Sequence, residues 1–404
     1  MNGSPRRVSD WLYLKLARET STGEYIPEID GFRFASIVVV MLTHSTYQLL
    51  MYRSSVPLPG DYWEKFNSRL IHLLGQGHVG VLLFFTISGF VLGLPFARVW
   101  LSGRPKPSLR QYFLRRLTRI EPPYIFNITV CFLFLYGFAG WQFRLHSYLA
   151  SLSYLHNILY GKFSSINIVA WSLEIEIQFY ILAPLLAYVF AVKSPFWRRL
   201  VLLVAMAAFG RLANVQTLPL GPAFLRYTLV SYLQFFLGGF LLADLYETGA
   251  IRRRGSLAWD AIGLASALAL VYGIGWHWWT TYWTLSFLVL LMWVGGFQGL
   301  IANWLFTRRL VTTIGGMCYS LYLWHSPLLV WSKGLIAVPV PRGWPIDAQV
   351  ILANVITLPI LVAAGAIIFY LTEKPFMGNR IPRWITTQWN AVGSLSAPAP
   401  AGQP

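Results

Sequence analysis

The chain has 404 residues, of which 56% are hydrophobic, 16% aromatic and only 12% charged, with a mean hydropathy of +0.54. A soluble protein carries about 25% charged residues, so this composition excludes a soluble globular class and predicts an all-α, polytopic integral membrane protein. The net charge of +17 would suit nucleic acid, but the basic residues are distributed as membrane topology requires; the two cysteines, Cys131 and Cys318, sit inside apolar runs and offer neither a disulfide framework nor a metal cluster.

Residues 1–28 are polar and basic, and the amphipathic patch VSDWLYLKLA (Val8–Ala17) is expected to lie flat on a membrane surface. The pattern is not that of a cleavable signal, because Arg33 interrupts the following apolar run and no small-residue cleavage site follows. Ten apolar runs are long enough to cross a bilayer core of about 30 Å. They lie near 29–52, 79–97, 121–141, 167–189, 199–215, 225–246, 258–274, 280–302, 311–332 and 347–372. The less hydrophobic segment His146–Tyr160 reads as an interfacial or re-entrant helix. A membrane domain over 29–376 is then followed by a cytoplasmic tail, 377–404, whose Pro, Ala and Ser content predicts disorder at its end. With the N-terminus inside, 22 of the 32 Lys and Arg residues fall in cytoplasmic segments and nine outside, Arg33 being in a helix end. That alternation supports ten spans with both termini cytoplasmic, and it accounts for the positive charge without nucleic acid.

The first run, IDGFRFASIVVVMLTHSTYQLLMY (Ile29–Tyr52), carries Asp30, Arg33 and His44, which a lipid anchor does not need. His44 is eleven residues beyond Arg33, about 16 Å along a helix and near mid-bilayer, and about three turns place both side chains on roughly one face. Ionisable groups at that depth usually line a cavity or pathway. In the second run, FFTISGFVLG, Ser88 and Gly89 are expected to serve helix packing, with ligand contact as the alternative. YFLRRLTRIEPPY, at the cytoplasmic end of the third run, sets Arg115, Arg116 and Arg119 on neighbouring turns; topology explains them, and so does a phosphate-bearing ligand.

In the fourth run, INIVAWSLEIEIQFYILAPLL, Glu174 and Glu176 lie about 10–16 Å from the outer end. Ser172, Glu176 and Tyr180 share a face at i, i+4, i+8, whereas Glu174 points elsewhere. Function is favoured for Glu176 over a structural ion pair. The ninth run, IGGMCYSLYLWHSPLL, puts His325 about 20 Å from an inner end near Val311, and Pro327 is expected to loosen the helix. His325 is readable either as a packing residue or as part of the site. LTEKPF leaves Glu373 and Lys374 at the inner interface, where a helix-end ion pair would explain them. The other histidines fall in outer loops or span ends, and His156, in YLHN, is the one worth testing.

The order of these motifs resembles membrane acyltransferase family 3, whose members acylate hydroxyls of sugars and glycolipids. The matching stretches are EIDGFRFASIVVVMLTH with its Arg-x10-His spacing, GVLLFFTISGFVL, RRLTRIEPPY, AWSLEIEIQFYILAPLL, QFFLGGFLLAD, GMCYSLYLWHSPLL and LTEKPF, over roughly 27–376. The resemblance implies acyl transfer from cytoplasmic acyl-CoA, a co-substrate rather than a bound cofactor, to a hydroxyl of a sugar-containing acceptor, in the inner (plasma) membrane. It implies Arg33 and His44 as the catalytic pair, Glu176 as the acidic residue, and Arg115, Arg116 and Arg119 as the donor-associated basic stretch. Glu174 departs from the family pattern. Some relatives continue into an extracytoplasmic hydrolase-like domain.

The residues fit that chemistry: a hydroxyl is a poor nucleophile at neutral pH, and histidine is a suitable base. His44 would take the acceptor proton, Glu176 would orient its imidazole, and Arg33 would hold the donor or stabilise an oxyanion. Asp30, Ser88, Ser172, Glu174, Tyr180, His325 and Glu373 are the supporting candidates, and no metal is expected. Acetyl is the plainest acyl group. The competing readings are a proton-coupled transporter, which buried His and Glu would also suit, and an export-complex component without acyl transfer.

Overall fold

The computed structural model describes residues 13–18, 25–54, 66–137, 144–216, 227–251, 255–275, 282–337 and 339–377. The expected surface helix over Val8–Ala17 lies outside the described residues as far as residue 12, and so does the tail from residue 378; residues 13–16 are helical. Among the described residues there are helices and no strand. In chain order they are α1 (Pro27–Arg53), α2 (Arg69–Leu74), α3 (His78–Ser102), α4 (Leu109–Tyr136), α5 (Leu145–Leu152), α6 (His156–Tyr160), α7 (Trp171–Leu186) and α8 (Pro195–Gln216). They continue as α9 (Leu229–Glu247), α10 (Leu257–Gly275), α11 (Tyr282–Gln298), α12 (Ile301–Phe306), α13 (Arg309–Gly316), α14 (Cys318–Ala337) and α15 (Ile346–Ile368).

Where they are described, the ten apolar runs are mainly helical, the eighth and ninth each divided between two helices. Among the described residues, five helical stretches are long and apolar enough to cross a membrane by length and composition: Pro27–Arg53, Arg69–Ser102, Ile168–Ala191, Leu229–Glu247 and Ile346–Phe376. Leu257–Tyr272 and Thr284–Gln298 are shorter apolar helices. The chain is therefore a polytopic α-helical membrane protein. His146–Tyr160 is divided between α5 and α6, two short helices between α4 and α7.

Local chemistry sets the boundaries. Pro27 opens α1, where its missing N–H costs nothing, and α3 stops at Gly103, whose φ of +66° favours glycine. α4 starts at Leu109, about three turns inward of the apolar run, so the arginine-rich stretch and the span are one helix. The ninth run divides at Met317 into α13 and α14, so the helix bearing His325 starts at Cys318, and a depth counted from Val311 does not apply to it. Just before this break Gly315 packs directly on the backbone of Asp30 and leaves no room for a Cβ.

The second and sixth runs meet in a similar way. Gly89 of α3 lies on the backbone of Phe236, and Gly239 of α9 lies on the backbone of Thr86 and Phe90. Small residues thus let these two helices cross at backbone contact. α1 is surrounded by α3, α13, α14 and α15, which places its polar side chains inside the bundle.

Candidate active site

α1, α3, α4, α7 and α14 enclose a cavity of about 110 Å³, with Arg33, Ser88, Arg116, Arg119, Glu176 and Tyr322 among its lining. At its inner end Arg33 Nη1 donates to Asp30 Oδ1 at 2.6 Å. Arg119 Nη2 is 3.4 Å from Glu373 Oε1, and the other Glu373 oxygen accepts from Ser320 Oγ at 2.7 Å. Glu373 reaches inward because α15 ends in a single π turn, Phe369–Glu373, which turns the carboxylate into the bundle. This corrects the helix-end pairing of Glu373 with Lys374, whose Nζ instead donates to the carbonyls of Leu14 and Ala17.

Midway along the cavity, Glu176 Oε1 accepts from Ser88 Oγ at 2.5 Å and from Tyr180 Oη. Ser88 is therefore part of the cavity wall, and the packing role expected of it belongs to Gly89 alone. Arg116 lies 6.0 Å and 5.9 Å from the ring centres of Tyr112 and Tyr180, within cation–π range. Arg115 is exposed, one turn before Arg119 on α4, and of the three arginines in this stretch only Arg116 and Arg119 line the cavity.

His44 does not touch Glu176. Its Nδ1 lies 2.9 Å from His325 Nε2, across the contact between α1 and α14. His325 Nδ1 is 2.8 Å from the Tyr322 carbonyl and 3.1 Å from that of Leu321. A carbonyl only accepts, so His325 carries its proton on Nδ1, and its Nε2 accepts from His44 Nδ1–H. His44 Nε2 is left as the lone-pair nitrogen. The imidazole of His44 is thus hydrogen-bonded to His325, where Glu176 was the expected partner. Tyr322, which lines the cavity, is 5.8 Å ring to ring from His325, and its hydroxyl is tied to Ser172 Oγ at 2.7 Å and to the Val169 carbonyl at 3.0 Å.

Glu174 is turned away, as its parity requires, and its Oε2 accepts from the backbone N–H of Asn157 at 2.8 Å at the start of α6. His156, also singled out by sequence, is buried between Ser147 Oγ at 2.8 Å and the Lys162 carbonyl at 3.1 Å, which pins α6 against α5. Pro327 does not interrupt α14. Because it lacks an N–H, the Leu323 carbonyl is free of its helical partner, and Asn127 and Asn167 donate to it at 3.1 Å and 3.0 Å. Sequence reasoning missed these two asparagines, Tyr322 and the place of Cys318 in the cavity wall. The signal for the asparagines was Pro327 itself, which announces an unpaired carbonyl four residues earlier.

Comparison with known proteins gives one family match and three informative relatives. A family model described as an acyltransferase domain matches residues 26–373. The O-acetyltransferase OatA of Staphylococcus aureus is 25% identical over 336 residues, 76% of this chain and 51% of the relative. The peptidoglycan O-acetyltransferase OatA of Listeria monocytogenes is 23% identical over 363 residues, 81% of this chain and 53% of the relative. The acyltransferase MdmB of Streptomyces mycarofaciens is 25% identical over 272 residues, 62% of this chain and 63% of the relative. The chain thus spans about half the length of the two OatA proteins. No solved structure matches.

Proposed function

The chain belongs to acyltransferase family 3, and from that premise we propose that it is a membrane O-acyltransferase that moves an acyl group, acetyl in the plainest case, from acyl-CoA to a hydroxyl of a sugar-containing acceptor. The observation that carries this reading is the free Nε2 of His44, held ready as a base by its Nδ1–H bond to His325. In the proposed reaction His44 Nε2 takes the acceptor O–H proton as that oxygen attacks the thioester carbonyl. The tetrahedral intermediate collapses, the C–S bond breaks, and the imidazolium returns its proton to the departing thiolate. An ester and free coenzyme A result, and the histidine pair is restored.

The donor would enter from the cytoplasm, its phosphates toward Arg33, Arg116 and Arg119 and its thioester arm along the cavity. Arg33 could also face the developing oxyanion. Glu176, with Ser88 and Tyr180, would balance the arginines at mid-cavity and set the position of the thioester. Tyr322 lines the cavity 5.8 Å ring to ring from His325, and a thioester would approach His44 past that ring. The orientation proposed is ten spans with both termini cytoplasmic, in the plasma membrane.

Sealed membrane vesicles carrying the protein test both chemistry and orientation. Labelled acetyl-CoA added to inside-out vesicles is expected to yield free coenzyme A and acetylated glycan or glycoside, and right-side-out vesicles are expected to leave it intact. His44→Ala is expected to abolish the reaction. Wild-type vesicles that transfer no acyl group, while His44→Ala abolishes solute uptake, would replace this reading with a transporter.

A further inference from the structure

The segment before the first span contains one side chain that its own anchoring does not explain. Residues 13–18 are already latched to the bundle: Lys374 Nζ donates to the carbonyls of Leu14 and Ala17 at 3.1 Å and 2.9 Å, Arg309 lies 4.2 Å over the Tyr13 ring, and Lys15 lies 5.9 Å from the centre of the Tyr370 ring. Arg18 extends from the end of this segment into the protein, where its side chain is 13% exposed. Its Cβ approaches Gly316, and its guanidinium comes within interaction range of Arg33, Arg119 and Cys318, all of which line the inner end of the cavity.

Arg18 gains little from the protein there. Asp30 Oδ1 already accepts from Arg33 at 2.6 Å, and Arg18 is its second and longer partner at 3.1 Å. Among the described residues the buried Nε of Arg18 has no hydrogen-bond partner. Burial first, and then repulsion from Arg33 and Arg119, push its pKa down to about 9. Three guanidinium groups therefore share two carboxylates, Asp30 and Glu373, at the cytoplasmic mouth of a cavity that also contains Arg116. A compact ligand with several anionic oxygens would relieve that repulsion and satisfy the orphaned donor, since a guanidinium fork matches phosphate geometry.

We infer that Arg18 binds a phosphate group of the acyl donor, completing with Arg33 and Arg119 the cytoplasmic mouth of the donor site, and that residues 13–18 are a wall of that site rather than only a membrane-surface anchor. This inference rests on the acyl-donor reading above. It goes beyond that reading by assigning a donor contact to a residue that precedes the first span.

The test compares full-length wild type with Arg18→Gln and Arg18→Lys in detergent micelles, measuring the Kd for coenzyme A and the KM and kcat for acetyl-CoA. Loss of one charge-assisted phosphate contact is expected to raise Kd and KM about tenfold or more, with kcat within about twofold. Arg18→Lys is expected to recover part of that loss, and added salt should weaken coenzyme A binding by wild type more than by Arg18→Gln. If Arg18→Gln does not fold, Arg18→Lys decides: it keeps the charge but loses the fork, so KM should still rise several-fold. Unchanged Kd and KM in a folded variant overturn the role of Arg18 and leave the acyltransferase reading standing. A wild type that neither binds coenzyme A nor releases it from acetyl-CoA takes both down.

Discussion

At 2.9 Å from His44 Nδ1, His325 Nε2 fixes which nitrogen of His44 is free, and the backbone carbonyls behind it fix His325 in turn. A positioned general base contributes about 10²–10⁴-fold to a rate. His325→Ala is accordingly expected to lower kcat by about 10²-fold with little change in the KM for acyl-CoA, because in the proposed site the arginines, not the histidine pair, would hold the donor's phosphates. His325→Gln offers a side-chain oxygen to the same N–H, so steady-state kinetics should place it between Ala and wild type. Equal activity of all three proteins would mean that His325 only packs. Much of the site's cast was legible in residue types at depth: Arg33, His44 and Glu176 stand out in apolar runs, and a parity of two separates Glu174 from Glu176. The pairing was not legible, because His44 and His325 are 281 positions apart and no spacing rule spans that distance. Nor does a run of arginines show that Arg116 and Arg119 face the cavity while Arg115 faces out.

Among the helices, α14 shows how a local defect is repaired by its neighbours. Pro327 frees the Leu323 carbonyl, Asn127 and Asn167 capture it, and Asn167 Nδ2 also donates to Asn127 Oδ1 at 2.7 Å, so α4, α14 and the turn preceding α7 are joined at one oxygen. Removing one such buried partner typically costs about 1–3 kcal/mol. Asn167→Ala is therefore expected to lower the thermal unfolding midpoint in detergent. In a Pro327→Ala background residue 327 regains an N–H for Leu323, and the same asparagine substitution should cost less than half as much. A penalty of the same size in both backgrounds would show that the asparagine acts elsewhere. Helix positions were readable because apolar runs of bilayer length leave few alternatives; the break between α13 and α14 was not, because it falls inside an apolar run with no proline to mark it.

On the scale of the whole molecule, charge is sorted by depth. The inner end of the cavity gathers Arg18, Arg33, Arg116 and Arg119 around Asp30 and Glu373, whereas the pair formed by His44 and His325 lies deeper along α1 and α14. That gradient suits a polyanionic donor whose reacting end is uncharged. In the neutral tautomers assigned to the pair, each imidazole keeps a single proton, so at rest it is electrically silent. A polarised membrane then has nothing there to push on. Imposing a potassium diffusion potential of either sign on proteoliposomes should leave acetyl turnover unaltered. A mechanism that drew a proton across half the field would instead change rate about sevenfold for 100 mV, at about 2.3 kcal/mol for a full charge crossing. An acyltransferase built on this pair would work in starved, depolarised cells as readily as in energised ones.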